Sequence, residues 1–116
     1  DNANNPTEKE IKLTRSGDDQ LTIYNAYNFP NPFSTNTQFT FEINQPVDMY
    51  LDIFTLGGRK VKTIQRLNLN RGFHVIDWNG LDEYGERIAN GVYIYRIKAL
   101  NESTSTFSIG RLAKYY

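Results

Sequence analysis

The amino-acid sequence predicts an all-β domain, folded as a two-sheet antiparallel sandwich of about seven short strands. Apolar side chains recur at every second position in several short runs, which is typical of strands that bury one face. Gly, Pro and Asn clusters separate these runs, and no helical periodicity is longer than one turn. Aromatic residues make up 14% of the chain, a composition that favours strands. A small barrel is the alternative architecture.

The first 20 residues are expected to lie outside this domain. They are mostly polar, with a short alternating run at 10–13 and a turn at 16–19. We interpret 1–20 as the tail of a preceding domain with a linker, and 21–116 as the sandwich itself. In the alternative interpretation, the run at 10–13 is an edge strand of the same sandwich.

The first strand is predicted within Leu21–Tyr27. Pro30 and Pro32 follow it, and proline lacks the backbone donor that a central strand needs. The sequence therefore predicts a kinked segment at a sheet edge, with Phe29 and Phe33 as its apolar anchors.

The second and third strands are predicted at Gln38–Ile43 and Met49–Phe54. Each contains three large apolar side chains at a spacing of two, which places them on one face. Phe54 falls on the opposite face of its strand, so we expect a neighbouring loop to cover it.

A glycine turn ending at Gly58 leads to the fourth strand. Within Arg59–Gln65, Val61 and Thr63 alternate with charged or polar residues, which predicts a strand after a hairpin turn. Residues 67–70 are expected to form an irregular link.

The stretch Gly72–Ile97 contains the fifth and sixth strands, which we expect to be central to the fold. Alternating apolar residues end at Trp78 and resume at Tyr93. Three glycine-containing turns between them allow positive φ angles. The last strand is predicted at Thr106–Ala113, where Gly110 indicates a bulge or a close backbone approach. Together these elements match an immunoglobulin-like sandwich.

The composition excludes several classes of function. Lys plus Arg and Asp plus Glu both number 13, so no net charge attracts nucleic acid or an anionic membrane. No cysteine is present, which removes disulfides and thiolate chemistry. No apolar run approaches the roughly 18 residues that span a bilayer. We therefore expect neither nucleic-acid binding nor direct membrane insertion.

No group of residues predicts catalysis or a cofactor. The single histidine, His74, alternates with core residues, so packing explains it better than catalysis or metal binding. The acidic side chains between Asp77 and Glu86 do not fit a calcium loop, because Leu81 and Ile88 occupy positions that need oxygen ligands. No serine lies in an activating motif. We expect no metal, no cofactor and no enzyme activity in this chain.

Tyrosines are the remaining candidates for ligand binding. Exposed aromatic rings could form a carbohydrate-binding platform, although packing in the core or against loops is the commoner role of tyrosine. The candidates are Tyr24, Tyr27, Tyr50, Tyr84, Tyr115 and Tyr116.

Three motifs together resemble a known family. They are FPNPF at Phe29–Phe33, IFTLGGRKVKTI at Ile53–Ile64, and GFHVIDWNGLDEYGERIANGVYIYRI at Gly72–Ile97. In combination they are similar to the immunoglobulin-like carboxy-terminal domains of type IX secretion proteins in Bacteroidota, and to the immunoglobulin-like domain of the flagellar hook-capping protein. The amino-terminal residues resemble the end of the preceding sandwich in the gingipain-like sortase of the type IX system.

This resemblance implies structural roles for the motif residues Pro30, Asn31, Pro32, Phe33, Gly58, Arg59, Trp78, Gly80, Asp82, Gly85, Gly91 and Tyr93. It also implies a non-catalytic interaction module in a longer exported protein, which could be a gingipain-like cysteine peptidase with its signal peptide upstream. The expected location is the outer membrane or the cell surface.

The resemblance further implies that the last strand recognises proteins of the secretion or attachment machinery, while other domains of the same chain are additional partners. The expected partner-binding residues are Phe107, Ile109, Gly110, Arg111, Leu112 and Lys114. Two alternatives remain: a carbohydrate-binding module of a secreted enzyme, and a purely structural spacer.

Overall fold

The computed structural model describes residues 20–115. These residues form seven β-strands, and no helix among them is long and apolar enough to cross a membrane. The strands are β1 (Ile23–Phe29), β2 (Thr37–Ile43), β3 (Val47–Thr55), β4 (Lys60–Leu69), β5 (Gly72–Trp78), β6 (Gly91–Leu100) and β7 (Ser105–Lys114).

The strands form two antiparallel sheets. One has three strands in the order β1-β2-β5, and the other has four in the order β4-β3-β6-β7. The predicted all-β immunoglobulin-like sandwich is therefore confirmed, and the barrel alternative is not adopted. β6 is central to its sheet, as expected. The expectation for β5 was wrong, because it pairs only with β2 and lies at an edge of the described sheet.

The hydrophobic core lies between the two sheets. β2, β3 and β6 each bury every second side chain, as the alternation in the sequence predicts. Removal of these side chains from water is the main favourable contribution to folding. The largest fully buried side chains are Phe39, Phe41, Met49, Leu51, Ile53, Ile97, Leu112 and Thr37.

The segment after β1 has one apolar anchor and not two. Phe33 is 2% exposed and packs in the core, whereas Phe29 is 75% exposed, so the prediction for Phe29 was wrong. The pairing of β1 with β2 shifts register between Tyr24 and Tyr27. After this irregularity, Phe29 lies opposite Gln38 on the outward face of the sheet.

β4 is longer and less regular than predicted, since it includes most of the expected link. Two register shifts against β3 interrupt it. Val61 and Ile64 are buried, while Thr63 faces outward and donates a hydrogen bond to Asp52 (2.7 Å). Val61 and Thr63 therefore face opposite sides of the sheet despite their spacing of two, because a bulge changes which residues face the core.

A side chain, and not a loop, covers Phe54. The guanidinium carbon of Arg96, on the neighbouring strand β6, lies 5.3 Å from the centre of the Phe54 ring. This is a cation–π contact. A side chain of the same sheet therefore covers Phe54 at a place where a loop was expected.

Parts of the predicted domain boundary fall outside the described residues, including the alternating run at 10–13. Leu21 is 4% exposed and belongs to the core. The division into 1–20 and 21–116 stays a prediction.

Candidate interaction surfaces

The FPNPF segment fastens the end of β7. Phe33 packs against Trp78, with 5.6 Å between ring centres. Its backbone N–H donates to the carbonyl of Ala113, and its carbonyl accepts from the N–H of Tyr115, both at 2.9 Å. A short parallel bridge thus extends the four-stranded sheet beyond β7.

Asn31 completes this fastening with its side chain. Its amide nitrogen donates to the carbonyl of Arg111 (2.9 Å), and its amide oxygen accepts from the N–H of Ala113 (3.0 Å). A side-chain amide can imitate a backbone pair, because it offers one donor group and one acceptor. The outer edge of β7 is therefore occupied from Arg111 onwards.

The link between β5 and β6 is built by the other motif residues. Trp78 donates from Nε1 to the carbonyl of Leu81 (2.9 Å). Gly80 has a φ of 77°, and a Cβ there would lie 3.0 Å from the Thr35 carbonyl oxygen. Asp82 accepts two backbone N–H groups through Oδ1. In this turn, an aspartate side chain thus stabilises backbone amides.

The remaining motif residues also have structural contacts. The turn before β4 is closed by a hydrogen bond from the N–H of Gly58 to the carbonyl of Thr55 (3.0 Å), as expected for a hairpin. Arg59 accepts from the Thr55 N–H through its carbonyl (2.9 Å). The Tyr93 hydroxyl donates to the carbonyl of Ala89 (2.6 Å). These residues hold loops against the sandwich.

Within residues 20–115, no strand pairs with the outer edge of the first half of β7, although β1 passes close to this strand. The contacts from Asn31 and Phe33 reach only odd-numbered residues of Arg111–Tyr115. Because backbone groups alternate in direction along an antiparallel strand, the N–H and C=O groups of Phe107 and Ile109 also point away from β6. Within residues 20–115, no other segment donates or accepts a backbone hydrogen bond there.

The structure separates the predicted partner-binding residues into exposed and buried groups. Phe107 and Ile109 are 62% and 60% exposed, and Arg111 is exposed beside them. Leu112 and Lys114 are 1% and 5% exposed, so they are not accessible to a partner in this fold.

Gly110 makes a close approach, one of its two predicted roles. A Cβ at this position would lie 2.5 Å from both Cζ and Oη of Tyr95, so the approaching group is a side chain and not a backbone. Burial raises the pKa of the Tyr95 hydroxyl, which therefore stays neutral at physiological pH. Gly110 thus serves packing beneath the exposed strand surface.

A buried carboxylate lies at the centre of the outward face of the four-stranded sheet, and sequence reasoning missed it. Asp52 is 4% exposed. It forms an ion pair with Arg96 (2.7 Å) and another with Lys60 (3.5 Å). Its isolated position among apolar residues of β3 was the available signal. Arg96 lies opposite Ile109 in the sheet, so Asp52 helps to position the surface next to the free edge.

The pKa of Asp52 reflects these neighbours. Burial raises the pKa of the carboxyl, whereas the hydrogen bonds from Thr63 and Arg96 and the charges of Lys60 and Arg96 lower it. The pKa of the Asp52 carboxyl consequently lies below its ordinary value of 3.8. Asp52 is therefore ionised at neutral pH and stabilises the arrangement of the surrounding cations.

His74, the candidate for catalysis or metal binding, makes contacts that hold its ring in place. His74 Nε2 lies 2.6 Å from the carbonyl of Asn70, and its ring centre is 5.8 Å from that of Phe41. These contacts support the packing interpretation of His74. Among residues 20–115, no group of three or more His, Asp or Glu side chains is placed to hold a metal ion.

The candidate tyrosines do not form one platform. Tyr24 and Tyr27 lie on β1, on the outward face of the three-stranded sheet. Tyr50 lies on the other sheet, Tyr84 in the link before β6, and Tyr115 after β7. Tyr116 is outside the described residues.

Comparison with known proteins identifies related sequences. A family profile described as the FlgD Ig-like domain matches residues 30–103. The basal-body rod modification protein FlgD of Salmonella typhimurium is 33% identical over 72 residues, which cover 61% of this chain and 31% of that protein. FlgD of Salmonella typhi matches to the same extent. The chain thus spans about a third of the length of these curated relatives.

Solved structures share the fold. Dimeric latent PorU from Porphyromonas gingivalis superposes with a TM-score of 0.72 and 22% identity, covering 90% of this chain and 10% of PorU. PorZ from the same organism, described as an essential surface component of the type IX secretion system, gives 0.52 and 19%, covering 78% and 11%. FlgD from Xanthomonas campestris gives 0.57 and 16%, covering 80% and 65%. At these identities the likeness shows the fold alone.

Proposed function

Because this chain belongs to the FlgD Ig-like domain family, we propose that it is a docking module within a longer, exported protein at the outer membrane or cell surface. Domains of this family are structural and non-enzymatic. The expectation that this chain is not an enzyme is thereby confirmed. What the module docks to follows from its surface and not from a catalytic centre.

The proposal assigns the longer protein to type IX secretion, either as cargo or as a component. The three sequence motifs support this assignment, and the shared fold of PorZ, a surface component of that system, is consistent with it. The FlgD relatives support the broader idea of an Ig-like module in a larger assembly protein. A gingipain-like peptidase as the parent stays a prediction from the resemblance.

The observation that carries the proposal is the free edge of β7. A partner in extended conformation would add a strand beside Phe107 and Ile109 and take up their outward N–H and C=O groups. The exposed side chains of the same two residues would supply selectivity, since they project toward the solvent beside the new strand. Asn31 and Phe33 occupy the edge beyond this point, so they limit the partner to the first half of β7.

A proline substitution tests this mode of binding without disturbing the sheet. In Ile109→Pro, the lost N–H points away from β6, so the pairing of β6 with β7 keeps its hydrogen bonds. We expect about a tenfold loss of surface retention of the full-length parent in its natural host, because one hydrogen bond contributes roughly 0.5–1.5 kcal/mol and the proline ring also obstructs the incoming strand.

Gln65→Pro is the matched control. Gln65 lies on β4, the opposite edge of the same sheet, and its N–H points away from β3, because the Thr63 N–H points outward to Glu83. This variant is expected to keep normal retention. If the Ile109→Pro parent is also retained at the normal level, the free edge is not the recognition element and the spacer alternative is favoured.

A further inference from the structure

The outward face of the three-stranded sheet carries exposed aromatic side chains that docking through β7 does not use. Tyr24, Tyr27 and Phe29 lie along β1 and are 45%, 64% and 75% exposed. Phe73 and Val75, on β5, are 62% and 45% exposed. Exposed apolar side chains that cluster on one face are typical of a binding surface.

Polar side chains of β2 run between these two apolar strands. The paired residues form three rows across the sheet. From one end of the face to the other, the rows are Phe29-Gln38-Asp77, Tyr27-Thr40-Val75 and Tyr24-Glu42-Phe73. The Gln38 amide donates to Asp77 (2.9 Å), and the amide of Asn25 donates to Glu42 (3.1 Å). Both carboxylates are therefore held in position: Glu42 lies between Tyr24 and Phe73, and Asp77 lies at the β5 end of the Phe29 row.

A groove lies at the Phe29 end of this face. Its volume is about 510 Å³. The rings of Phe29 and Pro30 and the polar side chains of Asn36, Gln38 and Asp77 line it. The groove thus places two apolar rings beside several hydrogen-bonding side chains, a combination that can hold an organic ligand.

The charges on this face indicate the kind of ligand. The three rows contain the carboxylates of Glu42 and Asp77 but no Lys or Arg, so they disfavour an anionic partner such as a nucleic acid or an acidic polysaccharide. Cations are found instead on the outward face of the other sheet, for example Arg96 and Lys98. Aromatic rings beside carboxylate and amide groups suit an uncharged ligand with flat apolar faces and many hydroxyl groups.

We propose that this face binds a neutral polysaccharide. The aromatic rings would stack on the apolar faces of the sugar rings, while Asp77, Gln38 and Glu42 would form hydrogen bonds with the sugar hydroxyls. Tyr24 and Phe29 pair with Glu42 and Gln38, which are four residues apart on β2, so they are separated by about 13 Å at roughly 3.3 Å per strand residue. This length accommodates several sugar units, which favours a polymer over a single sugar. The proposal is independent of docking through β7.

Native gel electrophoresis of the purified 116-residue chain tests the proposal. The gels contain soluble starch, dextran, hydroxyethyl cellulose, barley β-glucan or arabinoxylan as probes. We expect at least one polymer to retard the chain, and added salt to leave the retardation unchanged, because the ligand is uncharged. Tyr27→Ala and Phe29→Ala are each expected to weaken binding about tenfold, the equivalent of 1.4 kcal/mol, without affecting folding, since both side chains are exposed.

Phe107→Ala is the matched control, because Phe107 is as exposed as Tyr27 but lies on the other sheet. The Phe107→Ala variant should bind the polymer normally. The same variant is expected to impair docking through β7, so a failure of one proposal does not imply a failure of the other. Migration unaffected by all five polymers would overturn the inference. So would retardation that persists in both aromatic variants, or binding that is lost with salt and reproduced by polylysine, which would indicate a cationic protein partner.

Discussion

Several single residues in this domain each connect two parts of the structure. Trp78 is 3% exposed, contacts the rings of Phe33 and Phe39, and also binds the Leu81 carbonyl through Nε1. One side chain thereby joins the core to the link before β6. The sequence indicated the burial of Trp78 through its alternation, but its hydrogen-bond partner depends on how the link folds back.

Gly110 permits Tyr95 to lie against β7. In Gly110→Ala, the new methyl group would overlap the Tyr95 ring, which is itself held by an edge contact with Phe39 at 4.9 Å. We expect a loss of about 1–3 kcal/mol in the free energy of unfolding, measured by denaturant titration. Ser108→Ala, two residues earlier on the same face, should change it little. Equal stability of the two variants would show that Tyr95 moves aside freely.

Asp52 makes stability depend on pH. Its folded-state pKa lies below the ordinary value of 3.8, so its contribution is fully present above about pH 4 and is lost as the pH falls through the folded-state pKa. Asp52→Asn is expected to be roughly 1–3 kcal/mol less stable at neutral pH, because Arg96 loses its partner. The variant should also show a weaker loss of stability as the pH falls below about 4. Parallel pH profiles of unfolding free energy would contradict this role.

At the scale of strands, β7 combines a closed half and an open half. Asn31 and Phe33 occupy its edge from Arg111 onwards, whereas Phe107 and Ile109 remain open within the described chain. Unpaired strand edges favour association with other chains, and proteins commonly block those that are not used. Because Asn31 and Phe33 cover the second half of this edge, only the section at Phe107 and Ile109 is left for pairing with another chain.

Asn31→Ala is expected to loosen the closed half of β7. It removes two hydrogen bonds at an exposed site, so we expect the unfolding free energy to fall by about 1–2 kcal/mol. The Ala113 amide should exchange faster with solvent. Asn31→Asp retains the acceptor for Ala113 but has no donor for the Arg111 carbonyl, and an intermediate effect is expected. Unchanged exchange at Ala113 would show that Phe33 alone fastens the strand.

Strand prediction succeeded where the alternation is regular and failed where a bulge interrupts it. β2, β3 and β6 were predicted from their buried residues, because a period of two has one interpretation when one face is buried. β4 was predicted too short, and Phe29 was predicted to be an apolar anchor, because register shifts depend on the partner strand. The edge position of β5 likewise depends on which strands meet across the sandwich, which a local pattern does not contain.

At the scale of the whole molecule, the two outward faces differ in chemistry. The four-stranded sheet presents Arg96 and Lys98 beside apolar residues, and the three-stranded sheet presents aromatic rings with Glu42 and Asp77. The balanced net charge of the sequence conceals this difference. The last strand was predicted as a candidate site, but the grouping of Tyr24, Tyr27 and Phe29 with Phe73 required the strand pairing. Two separate surfaces thus allow one small domain to contact two kinds of partner.

Amide hydrogen exchange along β7 in the full-length parent tests the central claim, recognition through the free edge. It would be measured for the free protein and for the complex isolated from the cell surface. We predict fast exchange at Phe107 and Ile109 in the free protein, slowed by at least about tenfold in the complex, since each amide gains a hydrogen bond. Thr106 and Ser108 should be protected in both states, because their N–H groups point toward β6. Equally fast exchange at Phe107 and Ile109 in both states would contradict the claim.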